Sequence, residues 1–97
     1  MSNAPTTIVT LDGVDYSLCV DEITGRHELA LWHETRMSVG DLLGAAEWPR
    51  FMVVTFVWLS RLVHGDPVSW DEVADLVAFD TPVSFVIEDP PKASAAA

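Results

Sequence analysis

Hydrophobic positions are spaced in three different ways along the chain, and each spacing predicts a different element. From Thr7 to Val20 apolar and polar residues alternate on either side of Asp12-Gly13. Strict alternation marks a half-buried strand, and Asp-Gly suits a two-residue type I′ turn, whose left-handed conformations match the twist of paired strands. A β-hairpin over about 7–20 is predicted, with Leu11 opposite Val14 and Val9 opposite Tyr16. That register puts Val9, Leu11, Val14, Tyr16, Leu18 and Val20 on one face, and Thr10, Asp15, Ser17 and Cys19 on the other. An isolated hairpin is marginal in water, so it must pack on helices or gain a further strand.

The second spacing is the densest. Between Trp48 and Gly65, the residues Phe51 to Val54, Phe56 to Leu59, Leu62 and Val63 are apolar on nearly every side of a helical wheel. A helix surrounded by its neighbours reads this way. The run is too long for an ordinary strand of about 5 to 6 residues. It is also too short and too interrupted, by Thr55, Ser60 and Arg61, for a membrane span of about 20 apolar residues. Pro49 suits a first helical turn and His64-Gly65 a stop, so a central buried helix is predicted over about 48–64.

The third spacing is helical but amphipathic. Thr24 can cap a helix over about 24–36, with Leu29, Leu31, Trp32 and Ile23 as its apolar side. Ser38 can cap a short helix over about 39–46. Ser69-Trp70-Asp71-Glu72 reads as a capping box opening a helix over about 69–78, with Trp70, Val73, Leu76 and Val77 inward. Val83, Phe85 and Ile87 alternate again and predict a short strand over 83–88, confined by Pro82 to a sheet edge. The expected fold class is therefore α+β, mainly helical: an N-terminal hairpin, about four helices and a short C-terminal strand. Residues 1–6 are expected to be a flexible leader, 7–88 a single globular domain, and 89–97, with Pro90-Pro91, a flexible tail.

Composition narrows the function classes. Fifteen acids against five Lys and Arg give a formal charge of −10, which repels phosphate backbones and anionic lipid, so neither nucleic acid nor membrane is an expected partner. Seven acids and no base lie between Asp66 and Asp89, an end suited to a basic protein partner. The single Cys19 cannot form an internal disulfide, and no stretch reads as a signal peptide, so a cytoplasmic location is expected.

No catalytic, cofactor or metal signature stands out. His27 and His33 fall on opposite sides of a helix, Asp71 and Asp75 form an i, i+4 pair on a solvated face, and neither GxGxxG nor GxxxxGK[ST] occurs. The expectation is a protein without enzymatic activity and without a cofactor. Of the four tryptophans most belong to the core, while one or two at a groove would anchor a partner helix. The flanking helices make Trp32 and Trp70, with the acids Asp71, Glu72 and Asp75, the candidate partner-binding residues.

The order of parts also carries a resemblance. A hairpin is followed by Glu34-Thr35-Arg36-Met37-Ser38-Val39-Gly40-Asp41-Leu42-Leu43. Then come Val57-Trp58-Leu59-Ser60-Arg61 and the segment Gly65-Asp66-Pro67-Val68-Ser69-Trp70-Asp71-Glu72-Val73. Over about Val14 to Phe79 the chain resembles the tail assembly chaperones of long-tailed actinobacteriophages. The resemblance implies a cytoplasmic, non-enzymatic protein of virion morphogenesis. Such a protein binds the long helical tape measure protein, and also tail tube subunits, and keeps them soluble until the tail polymerises. Homo-oligomer formation stays open. The alternative class is a small acidic adaptor or inhibitor that acts by charge mimicry on a basic partner.

Overall fold

In the computed structural model, which describes residues 4–78 and 80–88, the hairpin is built from β1 (Thr6–Leu11) and β2 (Val14–Cys19). Asp12 and Gly13 both take positive φ, 50° and 84°, as a type I′ turn requires. The register is the predicted one, Leu11 against Val14 and Val9 against Tyr16. A third strand, β3 (Val83–Glu88), joins the other side of β1 antiparallel, so the strand order is β2-β1-β3 and β3 lies at an edge. β1 starts at Thr6, inside the expected leader. The rest of that leader before Ala4, and the expected tail over 89–97, lie outside the described residues.

One sheet face meets the core through Val9, Leu11 and Leu18. Two residues expected there are exposed instead: Val14 flanks the turn, and Val20 has left the strand in a 3-10 turn over Val20–Glu22. Cys19, expected on the outer face, is nevertheless buried, with its Sγ donating to Ala4 O at 3.8 Å.

Four helices follow: α1 (Gly25–Thr35), α2 (Val39–Leu43), α3 (Arg50–Val63) and α4 (Trp70–Leu76). They are shorter than predicted chiefly at their ends, because Thr24, Arg36, Ser38, Pro49, His64 and Ser69 cap helices rather than continue them. Thr24 N donates to His27 Nδ1 at 3.0 Å, so a histidine takes the place of the usual Glu in that capping box. Ser38 Oγ accepts from Asp41 N and Asp41 Oδ2 from Ser38 N, at 3.0 and 3.2 Å. At Ser69 the hydroxyl accepts from Glu72 N at 3.1 Å, which is the half of the predicted box that forms among the described residues.

The central helix is α3. Every residue from Met52 to Ser60 is buried, because the sheet covers one side of the helix and α1 and α4 cover the other. In its first turn Met52 and Val53 are buried, but Phe51, expected in the core, points to a sector left open and is 54% exposed. Trp48, expected to be helical, precedes the helix and packs edge-on against Phe56 at 5.6 Å and, tilted by 37°, against Phe85 of β3 at 5.4 Å. The outer helices pack mainly on α3, so each buries a narrow stripe: Leu31 on α1, and Val73 with the following Val77 at α4. Leu29, Trp32 and Leu76, predicted as apolar-side residues, are exposed for that reason. Among the described residues no helix is long and apolar enough to cross a membrane.

Candidate partner-binding groove

The end of α1 sets one wall of a groove. Thr35 Oγ1 donates to Leu31 O at 2.8 Å and accepts from Met37 N at 3.2 Å, tying the chain beyond the helix back onto its last turn. Between them Arg36 takes a left-handed conformation, φ 60°, and its N–H donates to Trp32 O at 2.8 Å. A non-glycine residue in that conformation costs about 1 to 2 kcal/mol. The guanidinium carbon lies 5.8 Å from the Trp32 ring centroid, a cation–π contact that offsets part of that cost. The turn places Met37 beside Thr35 at the groove.

The opposite wall comes from α3 and α4. Thr55 sits one turn after Phe51; its hydroxyl donates to Phe51 O at 2.8 Å and accepts from Trp70 Nε1 at 3.1 Å. That second bond fixes the indole plane. The groove between these elements has a volume of about 480 Å³; Met37, Phe51 and Trp70 supply apolar surface, and Glu34 and Asp71 supply carboxylates. Such a site offers aromatic anchor surface beside negative charge, which suits an amphipathic segment with basic flanks.

Five residues were predicted for partner binding, and the groove gathers two of them, Trp70 and Asp71. Trp32, Glu72 and Asp75 are exposed but do not line it. Sequence reasoning missed Phe51, Met37 and Glu34. A signal for Phe51 did exist: Thr55, one turn on, is a polar residue inside an otherwise apolar run and marks the sector of α3 that meets a polar atom.

Because Thr55 is fully buried and holds the indole N–H, Thr55→Val keeps the shape but leaves Trp70 Nε1 without its acceptor. The expected loss is about 1 kcal/mol of stability, with Trp70 fluorescence shifted as the ring loosens. A thermal melt and emission spectrum identical to the parent would show that the bond does not position Trp70.

A second cluster combines Ser, His and Glu. His64 Nδ1 lies 3.3 Å from Ser60 Oγ, and its Nε2 lies 3.1 Å from Glu22 Oε2. A nucleophilic serine needs an accessible hydroxyl and a base free to take its proton. Ser60 is 2% exposed, and its proton is committed to Ser17 O of β2 at 2.8 Å. The cluster therefore fastens the end of α3 to the sheet and to the turn at Glu22. The hollow beside it, about 510 Å³, has the Arg61–Asp66 ion pair (2.7 Å) on its wall. Among the described residues no three His, Cys, Asp or Glu side chains gather as metal ligands.

Comparison of the chain with protein-family models, curated proteins and solved structures finds no match.

Proposed function

We propose that the chain is a non-enzymatic tail assembly chaperone whose groove between α1, α3 and α4 receives an amphipathic helix of the tape measure protein. The observation that carries the binding part of this reading is the exposed Phe51 beside the half-buried Trp70, between Glu34 and Asp71. A helix laying its apolar side on that pair, with Lys or Arg toward the two carboxylates, uses both chemistries of the groove. The identity of the client comes from the sequence resemblance alone, in the residues Glu34 to Leu43, Val57 to Arg61 and Gly65 to Val73. Charge mimicry of an adaptor or inhibitor type would use the exposed acids Asp71, Glu72 and Asp75 but leaves the aromatic surface without a role.

Co-expression with overlapping fragments of a tape measure protein, followed by size-exclusion chromatography, tests the reading. Co-elution with at least one helical fragment is expected. Separate elution of every fragment would overturn the assignment of the client.

A further inference from the structure

In an antiparallel sheet each residue aims its N–H and C=O to the same side, and successive residues aim to opposite sides. Asp12 N donates to Pro82 O at 3.0 Å, and the register sets Thr10 against Ser84 and Ile8 against Val86. Ser84, Val86 and Glu88 therefore face β1. Val83, Phe85 and Ile87 aim their backbone groups away from the sheet, and among the described residues nothing bonds to them. Pro82 does not protect this side, since its missing N–H falls toward β1.

The other edge is different. Counting from the Leu11–Val14 pair that flanks the turn, Asp15, Ser17 and Cys19 aim outward on β2. There Ser60 Oγ of α3 already donates to Ser17 O, and Asp15 places a carboxylate along the strand. Proteins protect sheet edges with such covers and charges. β3 is barer: its one charge, Glu88, ends the strand, Arg50 Nη1 donates to Thr81 O just before it, and Phe85, Val86 and Ile87 are 45, 56 and 56% exposed.

We propose that the free edge of β3 is a seam between two copies of this chain, which pair antiparallel about a two-fold axis to make one six-stranded sheet. The outward-facing residues must pair with one another, and the axis at Phe85 brings all three of Val83, Phe85 and Ile87 into such pairs. With the axis at Phe85, Val83 of one copy meets Ile87 of the other, and Glu88 falls beside Pro82. Charge within the seam does not oppose this arrangement, although each chain carries −10: the two Glu88 carboxylates stand at opposite ends, roughly 20 Å apart, beyond the screening length of about 8 Å at physiological salt. A strand of six residues is about 20 Å long, so the interface is at the small end of specific contacts and the dimer dissociates readily. The guarded β2 edge stops the sheet from growing further, so the assembly closes at two. This inference does not rest on the client reading.

Sedimentation equilibrium of the full chain, from micromolar to millimolar concentration, tests it together with amide hydrogen exchange. The mass is expected to rise with concentration from 10.6 kDa to twice that value and then stop. The amides of Phe85 and Ile87 gain protection over the same range. Ile87→Lys, at a half-exposed side chain, is expected to weaken association at least tenfold. Ile87→Pro, which removes only an outward N–H, does the same and serves if the lysine variant loses its native circular dichroism. Leu76→Lys, at an exposed apolar residue elsewhere, leaves the mass curve unchanged. A monomer at every concentration overturns the proposal; if its Phe85 and Ile87 amides are already protected, the occupant is residues 89–97 of the same chain. Growth past two copies, or an unchanged curve for Ile87→Lys, overturns it as well.

Discussion

Phe56→Ala is expected to lower the stability of the fold by about 3 to 5 kcal/mol, the range for removing a large aromatic ring from a well-packed core. Phe56 has no solvent exposure, and it lies in the stretch of α3 that is covered from both sides. The Trp48 ring meets it edge-on at 5.6 Å. Relaxation into the space left by the ring would have to move the sheet, the outer helices or Trp48, so most of the cavity persists. For a domain of this size each 1 kcal/mol shifts the melting temperature by roughly 4 to 8 °C, and a fall well beyond 10 °C is expected. Urea unfolding followed by tryptophan fluorescence measures it. A midpoint within experimental error of the parent would mean that the core is organised around other side chains.

Phe51→Ala, five residues earlier on the same helix, is expected to behave in the opposite way. More than half of this side chain is exposed, so its truncation changes stability by no more than about 0.5 kcal/mol. If the groove binds a helix as proposed, affinity for it is expected to fall by about 2 kcal/mol, roughly thirtyfold in Kd, the loss typical of an aromatic anchor. Isothermal titration with the fragment that co-elutes with the parent chain reads this directly. Leu76→Ala is the matched control, an exposed apolar residue that does not line the groove. Equal affinities for the parent and Phe51→Ala would remove the groove from consideration as the client site.

The contrast between Phe51 and Phe56 shows how far the sequence could be read. Local signals were legible: Asp12-Gly13 set the hairpin register, and Thr24, Ser38 and Ser69 marked helix starts. Each depends on residues within a few positions of one another. The strand over Val83–Glu88 was also legible from alternation, and it lies at the edge expected from Pro82, although the missing N–H of that residue faces β1 and not the open side. The groove was not. A helix that is apolar on all sides gives no indication of which sector its neighbours leave open, and that sector depends on where α1 and α4 dock. Leu29 and Leu76 failed for the same reason, since each outer helix packs mainly on α3 and leaves its other sides open. His64 with Glu22, and Arg50 Nη1 donating to Thr81 O at 3.0 Å, join residues far apart in the chain, and no periodicity encodes such pairs.

The position of β1 between its two partners has a kinetic consequence. Its pairing with β2 closes a two-residue turn and can form within microseconds. Its pairing with β3 closes the long connection from Leu11 to Val83 that carries α1 to α4, a far more costly loop closure. Sheet completion is therefore expected to be the late event in folding. A substitution such as Val86→Ala would then mainly speed unfolding and leave the refolding rate nearly unchanged, which stopped-flow measurements in urea resolve. An equally large drop in the refolding rate would mean that β3 joins β1 before the transition state. Until that last strand docks, the even-numbered side of β1 is itself an open edge, so the same polypeptide is most prone to mispairing in the interval between making its hairpin and finishing its sheet.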